Sequence, residues 1–269
     1  MLVSVIVPIY NASNTISAAI SSIITSIQKI SEDFEIICIN DGSTDNSLEI
    51  IEKIANENNK IVVISQVNSG VAVARNRGLE VAKGDYIAFN DSDDEWLENH
   101  FSCLLEKFKK YPDMCCISGD HDVENKTLLN LKLIEKKFYK VTLKTEVLKN
   151  FYSPQATMIR RKIIDDGVRF KNGMRYAEEG YFFYTIVNNY LCGYLNEPIT
   201  RTITGKESYG DGGLSGNLRE MEKGELQNLL YAYKSLELSF FYYCFSVIYS
   251  LLKYLRRIII VNKRNRMKK

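Results

Sequence analysis

A run of acidic side chains around one serine stands out as a candidate site for chemistry: Asp91, Ser92, Asp93 and Asp94. The run follows residues 86–89, whose aromatic and aliphatic side chains favour a buried strand. Carboxylates this close repel one another. A hard cation such as Mg2+ or Mn2+ would relieve that repulsion and share oxygen ligands with a diphosphate. The run therefore predicts a metal–nucleotide site at a strand end. The alternative is an Asp-rich cap of a helix that begins near Glu95.

Two further polar positions follow apolar runs in the same way. Asn11 comes after residues 2–9, with Pro8 near the end of that run, and Asp41 comes after residues 35–40. Parallel strands bring their carboxyl ends to one edge of a sheet, and ligands bind there in open α/β folds. We therefore expect Asn11, Asp41 and the acidic run to face a common site.

The elements needed to position these residues alternate along the first third of the chain. The strands are expected at residues 2–9, 35–40, 61–65 and 86–89. Stripes of apolar residues predict intervening helices over residues 16–30, 48–54 and 69–83. A β-α-β-α-β-α-β order predicts an open, mostly parallel α/β sheet flanked by helices, with right-handed crossovers.

The second half of the chain is less regular. Helices are expected over residues 97–111 and 181–190, and strands over residues 114–118 and 192–195. The composition of residues 204–217, rich in Gly and Ser, predicts a loop, either a lid over a ligand or an ordinary surface loop. We expect residues 1–215 to form one domain and residues 216–269 to form a helical C-terminal extension.

Charge and cysteine content narrow the choice of partners and compartment. Eight Lys or Arg and no acid follow residue 252, so the net charge of +2 becomes −6 for residues 1–252. An acidic body argues against nucleic-acid binding. Six cysteines without a CxxC pair, and a start without a basic leader, are typical of reduced thiols in a cytoplasmic protein.

The C-terminal stretch combines apolar and basic residues. Residues 239–252 carry no charge, but they are fewer than the roughly 20 that a membrane span needs. The cations that begin at Lys253 predict a helix that lies on the inner face of a membrane and meets anionic headgroups. The alternative is a helix that docks on the domain or on a partner subunit.

Neither phosphate-binding glycine pattern, GxxxxGK[ST] or GxGxxG, is present, so carboxylates and a metal would have to hold a nucleotide. Four segments then occur in order: VSVIVPIYNAS, ICINDGSTDNS, NSGVAVARNRGLEVAKGDYIAFNDSDD and AEEGYFF. With these segments the chain resembles the inverting family 2 glycosyltransferases, which have the GT-A fold. The resemblance covers roughly residues 3–215.

The resemblance implies roles for individual residues. Asp41 would accept a hydrogen bond from a uracil-type base. Asp93 would bind the metal ion, either Mn2+ or Mg2+, with Asp91 as a further ligand or a contact to the donor's hydroxyls. The remaining donor-binding residues that it implies are Pro8, Tyr10, Asn11, Arg75, Asn76 and Ser92. For Arg75 and Asn76 the alternative is a buried structural ion pair or cap.

The resemblance also implies a general base before an aromatic-rich helix, where the family has an Asp as the second residue of an acidic pair. This chain has Glu178 and Glu179 there. Glu179 is the candidate base and Glu178 its reserve. The alternative is ordinary solvated charge at a helix N-terminus, where carboxylates are favourable.

Together with the acidic motifs, the resemblance implies an inverting, metal-dependent transferase. It would move a sugar from a nucleotide diphosphate donor, a UDP-sugar, to a glycan or lipid-linked acceptor in cell-surface polysaccharide synthesis. The cation would neutralise the leaving diphosphate. Two alternatives stay open: a non-catalytic nucleotide-sugar or glycan-binding module, and a nucleotidyltransferase.

Overall fold

The computed structural model describes residues 1–30, 32–124, 128, 131–204 and 214–267. Its strands are β1 Leu2–Ile9, β2 Asp33–Asp41, β3 Ile61–Gln66, β4 Tyr86–Phe89, β5 Asp94–Trp96, β6 Cys116–His121, β7 Lys132–Glu135, β8 Phe138–Val141, β9 Thr157–Arg160 and β10 Cys192–Thr202. Its helices are α1 Ile16–Gln28, α2 Ser47–Glu57, α3 Val71–Val81, α4 His100–Lys110, α5 Leu143–Glu146, α6 Lys162–Asp165, α7 Glu178–Asn189, α8 Leu218–Ser235 and α9 Phe240–Met267.

One mixed sheet runs through the molecule in the order β3-β2-β1-β4-β9-β6-β10-β8-β7, and β5 pairs with β10. The four strands β3, β2, β1 and β4 are all parallel. Strand β9 then enters antiparallel between β4 and β6. The predicted open sheet flanked by helices, with helices at the C-terminus, is confirmed.

Helices cover both faces of the parallel strands, which explains why the central residues of those strands are mostly apolar. On one face the predicted isoleucine stripe of α1, including Ile16, Ile20 and Ile23, packs against Val5 of β1. On the other face Ile6 of β1 lies in a second cluster with side chains of α3 and α7. The loops at the strand ends are therefore mounted on a rigid layer.

The acidic run does not cap a helix, so that alternative is wrong. Residues Asp94–Trp96 form β5, which pairs antiparallel with the end of β10. Helix α4 begins only at His100, after Asn99, whose side chain makes no capping hydrogen bond. The reason lies in the tertiary structure, because β10, which is distant in the sequence, supplies a strand for these residues to pair with.

Two further element boundaries differ from the predicted ones, at the end of β10 and at the start of α7. Strand β10 continues to Thr202, well beyond the predicted end at residue 195, because β6 and β5 pair with it. Helix α7 begins at Glu178 rather than at residue 181. The acidic pair thus lies in the first turn of the helix, three residues earlier than expected.

The C-terminal region forms two helices that pack on each other, and α8 also packs on α7. Within the described ranges, no helix is both long and apolar enough to span a membrane. The predicted loop, residues 204–217, falls largely on positions 205–213, which lie outside the described residues.

Candidate functional site

The site lies at the carboxyl edge of the parallel strands. Strands β2 and β4 flank β1, so the loops that carry Asn11, Asp41 and Asp91 leave the sheet side by side. Two strand spacings, about 10 Å, separate the ends of β2 and β4. The edge expected from the strand order is therefore present.

Asp41 is buried and already accepts three hydrogen bonds. Its Oδ1 accepts from Gln66 Nε2 at 2.7 Å and from the backbone N–H of Ser69 at 2.8 Å, and its Oδ2 accepts from the backbone N–H of Gly70 at 2.9 Å. The carboxylate thus fixes the loop that leads into α3. Each carboxylate oxygen has two acceptor positions, so Oδ2 retains one for a further donor.

Asn11 and its neighbours form the adjacent wall. Asn11 has a φ of 51°, and its Oδ1 accepts from the backbone N–H of Thr44 at 2.8 Å. This bond ties the loop after β1 to the loop after β2. Tyr10 beside it is half exposed, whereas Pro8 is buried in β1, past the last residue that pairs with β4.

Arg75 joins the acidic run to the acidic pair on α7. Its Nη2 donates to Asp91 Oδ1 at 2.6 Å, and its Nη1 donates to Glu178 Oε1 at 2.7 Å. The guanidinium is 3% exposed and stacks over Phe170 at 5.3 Å. The neighbouring carboxylates raise its pKa against the opposing effect of burial. Its Nε is buried without a hydrogen-bond partner among the described residues.

Asn76, the next residue on α3, is directed elsewhere. Its Nδ2 donates to the carbonyl oxygen of Phe170 and to Asn172 Oδ1, both at 2.8 Å, while its Oδ1 accepts from the N–H of Phe170 at 2.9 Å. These bonds match the structural alternative for Asn76. They hold the segment that packs Phe170 against Arg75.

The acidic run lies among further carboxylates. Burial, then repulsion from Asp91, Asp93 and Asp122, raises the pKa of Asp94 to about 9. The loop is closed by hydrogen bonds from the N–H of Asp94 to Asp91 O and from the N–H of Ile203 to Asp93 O. Negative charge is concentrated here, as the sequence indicates, and a cation would be favoured.

The carboxylates of this loop are the donor set that a metal ion would meet. The described residues contain no group of three or more His, Cys, Asp or Glu at the spacing of a complete metal site. Mg2+ and its analogues are commonly held by one or two carboxylates, with water and phosphate oxygens as the other ligands. Asp91 and Asp93 fit that incomplete, oxygen-only set, and the repulsion acting on Asp94 would be relieved by a cation.

Glu178 and Glu179 are not solvated helix-end charges. Glu178 is buried against Arg75, and Glu179 is half-buried beside it. Burial, followed by the repulsion of Glu178, raises the pKa of Glu179 to about 8, although Arg75 opposes this. A raised pKa is the usual property of a carboxylate that transfers protons near neutral pH.

Helix α8 holds the residue that precedes this pair. Ala177 is in the left-handed region with a φ of 53°, and Asn228 Nδ2 donates to its carbonyl oxygen at 2.7 Å. At Gly224 an added Cβ would lie 2.4 Å from the carbonyl oxygen of Tyr176. Only glycine allows α8 to approach this closely, so α8 supports a strained turn at the start of α7.

His121 is one of two histidines in the chain, and neither has metal-ligand spacing in the sequence. In the structure its Nε2 lies 3.2 Å from Asp122 Oδ2 and 3.8 Å from Asp94 Oδ1. Its ring nitrogens also contact the hydroxyls of Thr200 and Thr202. Burial lowers its pKa against the opposing charges. The long extension of β10, which was not predicted, brings these groups to the acidic run.

Comparisons with known proteins show the family and the fold. The family model described as glycosyl transferase family 2 matches residues 4–168. A poly(ribitol-phosphate) beta-glucosyltransferase of Bacillus spizizenii is 43% identical over 96 residues, which is 35% of this chain and 15% of the relative. The aligned regions span less than a third of each of the first curated relatives.

Two solved structures show the same fold. Staphylococcus aureus TarS 1-349 in complex with UDP-GlcNAc has a TM-score of 0.70 and 20% identity, covering 93% of this chain and 72% of that one. The mannosyltransferase PcManGT of Pyrobaculum calidifontis, in complex with GDP-Man and Mn2+, has a TM-score of 0.66 and 14% identity, covering 93% and 73%. Both are similar in fold.

Proposed function

The chain belongs to glycosyl transferase family 2, and from that premise we propose that it is an inverting glycosyltransferase. It moves a sugar from a nucleotide diphosphate donor, a UDP-sugar, to a glycan or lipid-linked acceptor in cell-surface polysaccharide synthesis. Residues 1–215 carry the reaction, and residues 216–269 are a helical extension. The observation that carries the proposal is the Arg75 bridge, because it joins the donor-side Asp91 to the acidic pair on α7.

The donor lies along the carboxyl edge of the parallel strands in this proposal. The free acceptor position of Asp41 meets the imide N–H of the base, with Pro8, Tyr10 and Asn11 around it. Arg75 and Ser92 lie on the diphosphate side. The buried Arg75 Nε supports this assignment, since a phosphate oxygen would supply the partner it lacks. Asn76 acts through Phe170 and Asn172.

A divalent cation, Mn2+ or Mg2+, binds at Asp93 and Asp91 in this proposal. It would supply positive charge to the leaving diphosphate. The protein contributes the acidic loop that β10 and β5 hold in place. Support comes from the carboxylate donor set and from the Mn2+ named with the mannosyltransferase of similar fold.

Glu179 accepts the proton of the acceptor hydroxyl, and Glu178 is a positioning residue that ties Glu179 to Arg75. A side chain with a raised pKa in a protected position suits that task. The proton leaves the hydroxyl as its oxygen bonds to the anomeric carbon, and the bond to the diphosphate breaks on the opposite face, which inverts the configuration.

The compartment proposed is the cytoplasm, at the inner face of the membrane. All six cysteines are free thiols. Two of them, Cys116 and Cys192, are direct neighbours in the β6–β10 register and are both buried. Thiols that remain unpaired at such proximity are typical of a reducing compartment.

One observation favours a second candidate, a binding module without transfer activity. Burial, and then the repulsion of Glu178, raise the pKa of Glu179, which favours its protonated form before a donor and a cation arrive. A protonated carboxyl cannot act as a base. Transfer therefore requires that ligand binding or pH restore the carboxylate.

The test is a panel of UDP-sugars with Mn2+, in which released UDP and the glycosylated product are both measured. Release of UDP that depends on acceptor and drops strongly in Asp93→Asn supports the proposal. The matched control is Asp113→Asn, an exposed acid away from the site. Turnover undiminished in Asp93→Asn would contradict it. UDP binding without transfer points to the binding module. Pyrophosphate released in a parallel assay with UTP and a sugar phosphate points to a nucleotidyltransferase.

A further inference from the structure

Helix α9 turns a continuous apolar stripe toward solvent. Six side chains spaced alternately four and three residues apart lie on this face, and each is between 53% and 86% exposed: Phe241, Phe245, Ile248, Leu252, Leu255 and Ile259. Such spacing places all six on one side of a helix. We call this set the α9 stripe. Six large apolar side chains in one row form an exposed patch that marks an interaction surface.

The opposite face of α9 fixes the direction of the stripe. Arg257 Nη1 donates to Glu225 Oε1 at 2.7 Å, and Ser250 Oγ donates to Glu222 Oε1 at 3.0 Å, both across to α8. Lys253 Nζ donates to the carbonyl oxygen of Leu148 at 3.1 Å. Docking on the domain therefore uses one face of α9 and leaves the stripe outside the core.

The charge of α9 selects the kind of surface that would cover the stripe. No Asp or Glu follows Glu237, whereas eight Lys or Arg do. Lys253 and Arg257 pair with Glu225, but Arg256, Lys263 and Arg266 are exposed. At 3.6 residues per turn these three lie within about 60° of the midline of the stripe. The face is thus apolar along most of its length, with cations beside it and at its end.

We propose that α9 is an in-plane membrane-binding helix whose stripe enters the apolar boundary of a bilayer while its cations contact anionic lipid headgroups. The absence of any membrane-spanning helix from the described ranges is consistent with a helix that lies on the surface. The 28 residues of α9 would extend about 42 Å along that surface.

A second copy of the chain is a poorer occupant of the same face. Paired helices take charges of both signs beside the apolar seam, and α9 offers cations alone. Two such faces would bring like charges together. Anionic lipid supplies both the apolar phase and the opposite charge. The inference does not depend on the transferase reaction, because vesicle binding is measured without donor or acceptor.

The experiment is co-sedimentation of the full chain with vesicles of phosphatidylcholine alone or mixed with phosphatidylglycerol. We expect strong binding to the mixed vesicles. Leu252→Ser with Leu255→Ser should weaken it at least about tenfold, since two apolar side chains no longer enter the bilayer. The matched control is Val62→Ser with Leu133→Ser, which changes two comparably exposed apolar residues on strands and should bind as the wild type does.

A second pair tests the charges. Arg256→Gln with Lys263→Gln should weaken binding to the mixed vesicles by about fivefold for each cation removed, and added salt should reduce that difference. Its control is Lys53→Gln with Lys83→Gln, two exposed lysines elsewhere. Because all eight side chains are at the surface or near it, melting temperatures should stay close to that of the wild type.

The proposal would be overturned by wild-type protein that does not sediment with the mixed vesicles. It would equally be overturned by binding that both the stripe and the charge variants keep unchanged. If vesicle binding is absent and light scattering shows a wild-type dimer that Leu252→Ser with Leu255→Ser converts to a monomer, the stripe is assigned to a second copy of the chain.

Discussion

At the scale of single residues, Arg75 decides how the two acidic regions relate. Without it, Asp91 and Glu178 would be like charges near one site, and both are removed from bulk water to a large extent. A buried cation between two carboxylates stabilises all three only while each partner is present. The structural role and the proposed role in donor binding therefore belong to the same side chain.

Arg75→Met should lower the free energy of unfolding by about 3–5 kcal/mol, because it leaves two carboxylates without their shared cation. Urea denaturation measures the change. Arg77→Met is the matched control on the same helix, since Arg77 is exposed and, among the described residues, pairs only with Glu80. That control should cost about 0.5 kcal/mol or less. Equal losses of unfolding free energy in both variants would show that the buried ion pairs contribute no more to stability than the exposed pair does.

The proposed role of Glu179 predicts how the transfer rate depends on pH. A base works in its ionised form, and burial raises the pKa of Glu179 to about 8, so the transfer rate should rise with pH up to that region. Glu179→Gln should lower the rate by about 10²–10⁴-fold and remove the rising limb. The profile of UDP release against pH checks this. Glu52→Gln, an exposed acid on α2, should leave the profile intact.

At the scale of elements, α8 has a direct connection to the site. Its Gly224 and Asn228 contact the turn that carries Ala177, immediately before the acidic pair. The helical C-terminal extension therefore supports the turn that precedes the acidic pair. The same helix holds α9 through Glu222 and Glu225, so one element links the site to the proposed membrane surface.

Gly224→Ala should push α8 away from the start of α7, since the new Cβ would meet a backbone oxygen that cannot move aside easily. We expect a loss of about 1–3 kcal/mol in stability and a fall in kcat larger than any change in KM for the donor. Thermal unfolding and steady-state kinetics measure both. Gly216→Ala, where an added Cβ meets nothing within 4 Å, is the control. A fully active Gly224→Ala variant would show that the close approach of α8 does not contribute to the site.

At the scale of the whole molecule, the sheet is a rigid layer that places the two proposed ligand-binding regions on one edge. The parallel strands present Asn11, Asp41 and Asp91, and the antiparallel β9 connects them to the mixed half that ends in β10. The acidic loop, paired with β10, belongs to both halves. Ligand binding there should stabilise the entire fold.

UDP together with Mn2+ should raise the melting temperature by more than the sum of the shifts that each causes alone, because each compound completes the binding site of the other. At a hundredfold excess over Kd, the stabilisation is about 2.7 kcal/mol, or about 5–10 °C for a chain of this size. Differential scanning fluorimetry measures it. EDTA should abolish the joint effect, and ADP with Mn2+ should give a smaller one. Additive shifts would contradict a shared site.

The sequence by itself determined the parallel half of the fold and the edge at which the site forms. Apolar strands alternating with amphipathic helices have few other ways to bury their faces, and polar residues after each strand must then gather at one edge. Asp91, Asp41 and Asn11 could therefore be placed from local pattern alone.

The tertiary structure alone decided which of those residues touch. The bridge from Arg75 to Glu178 spans 103 positions, and the contacts of His121 with Thr200 and Thr202 depend on the pairing of β10. Such contacts leave no periodic trace in the chain, because they are set by the packing of distant elements. The same is true of α8, whose close approach at Gly224 is visible only when Tyr176 lies opposite.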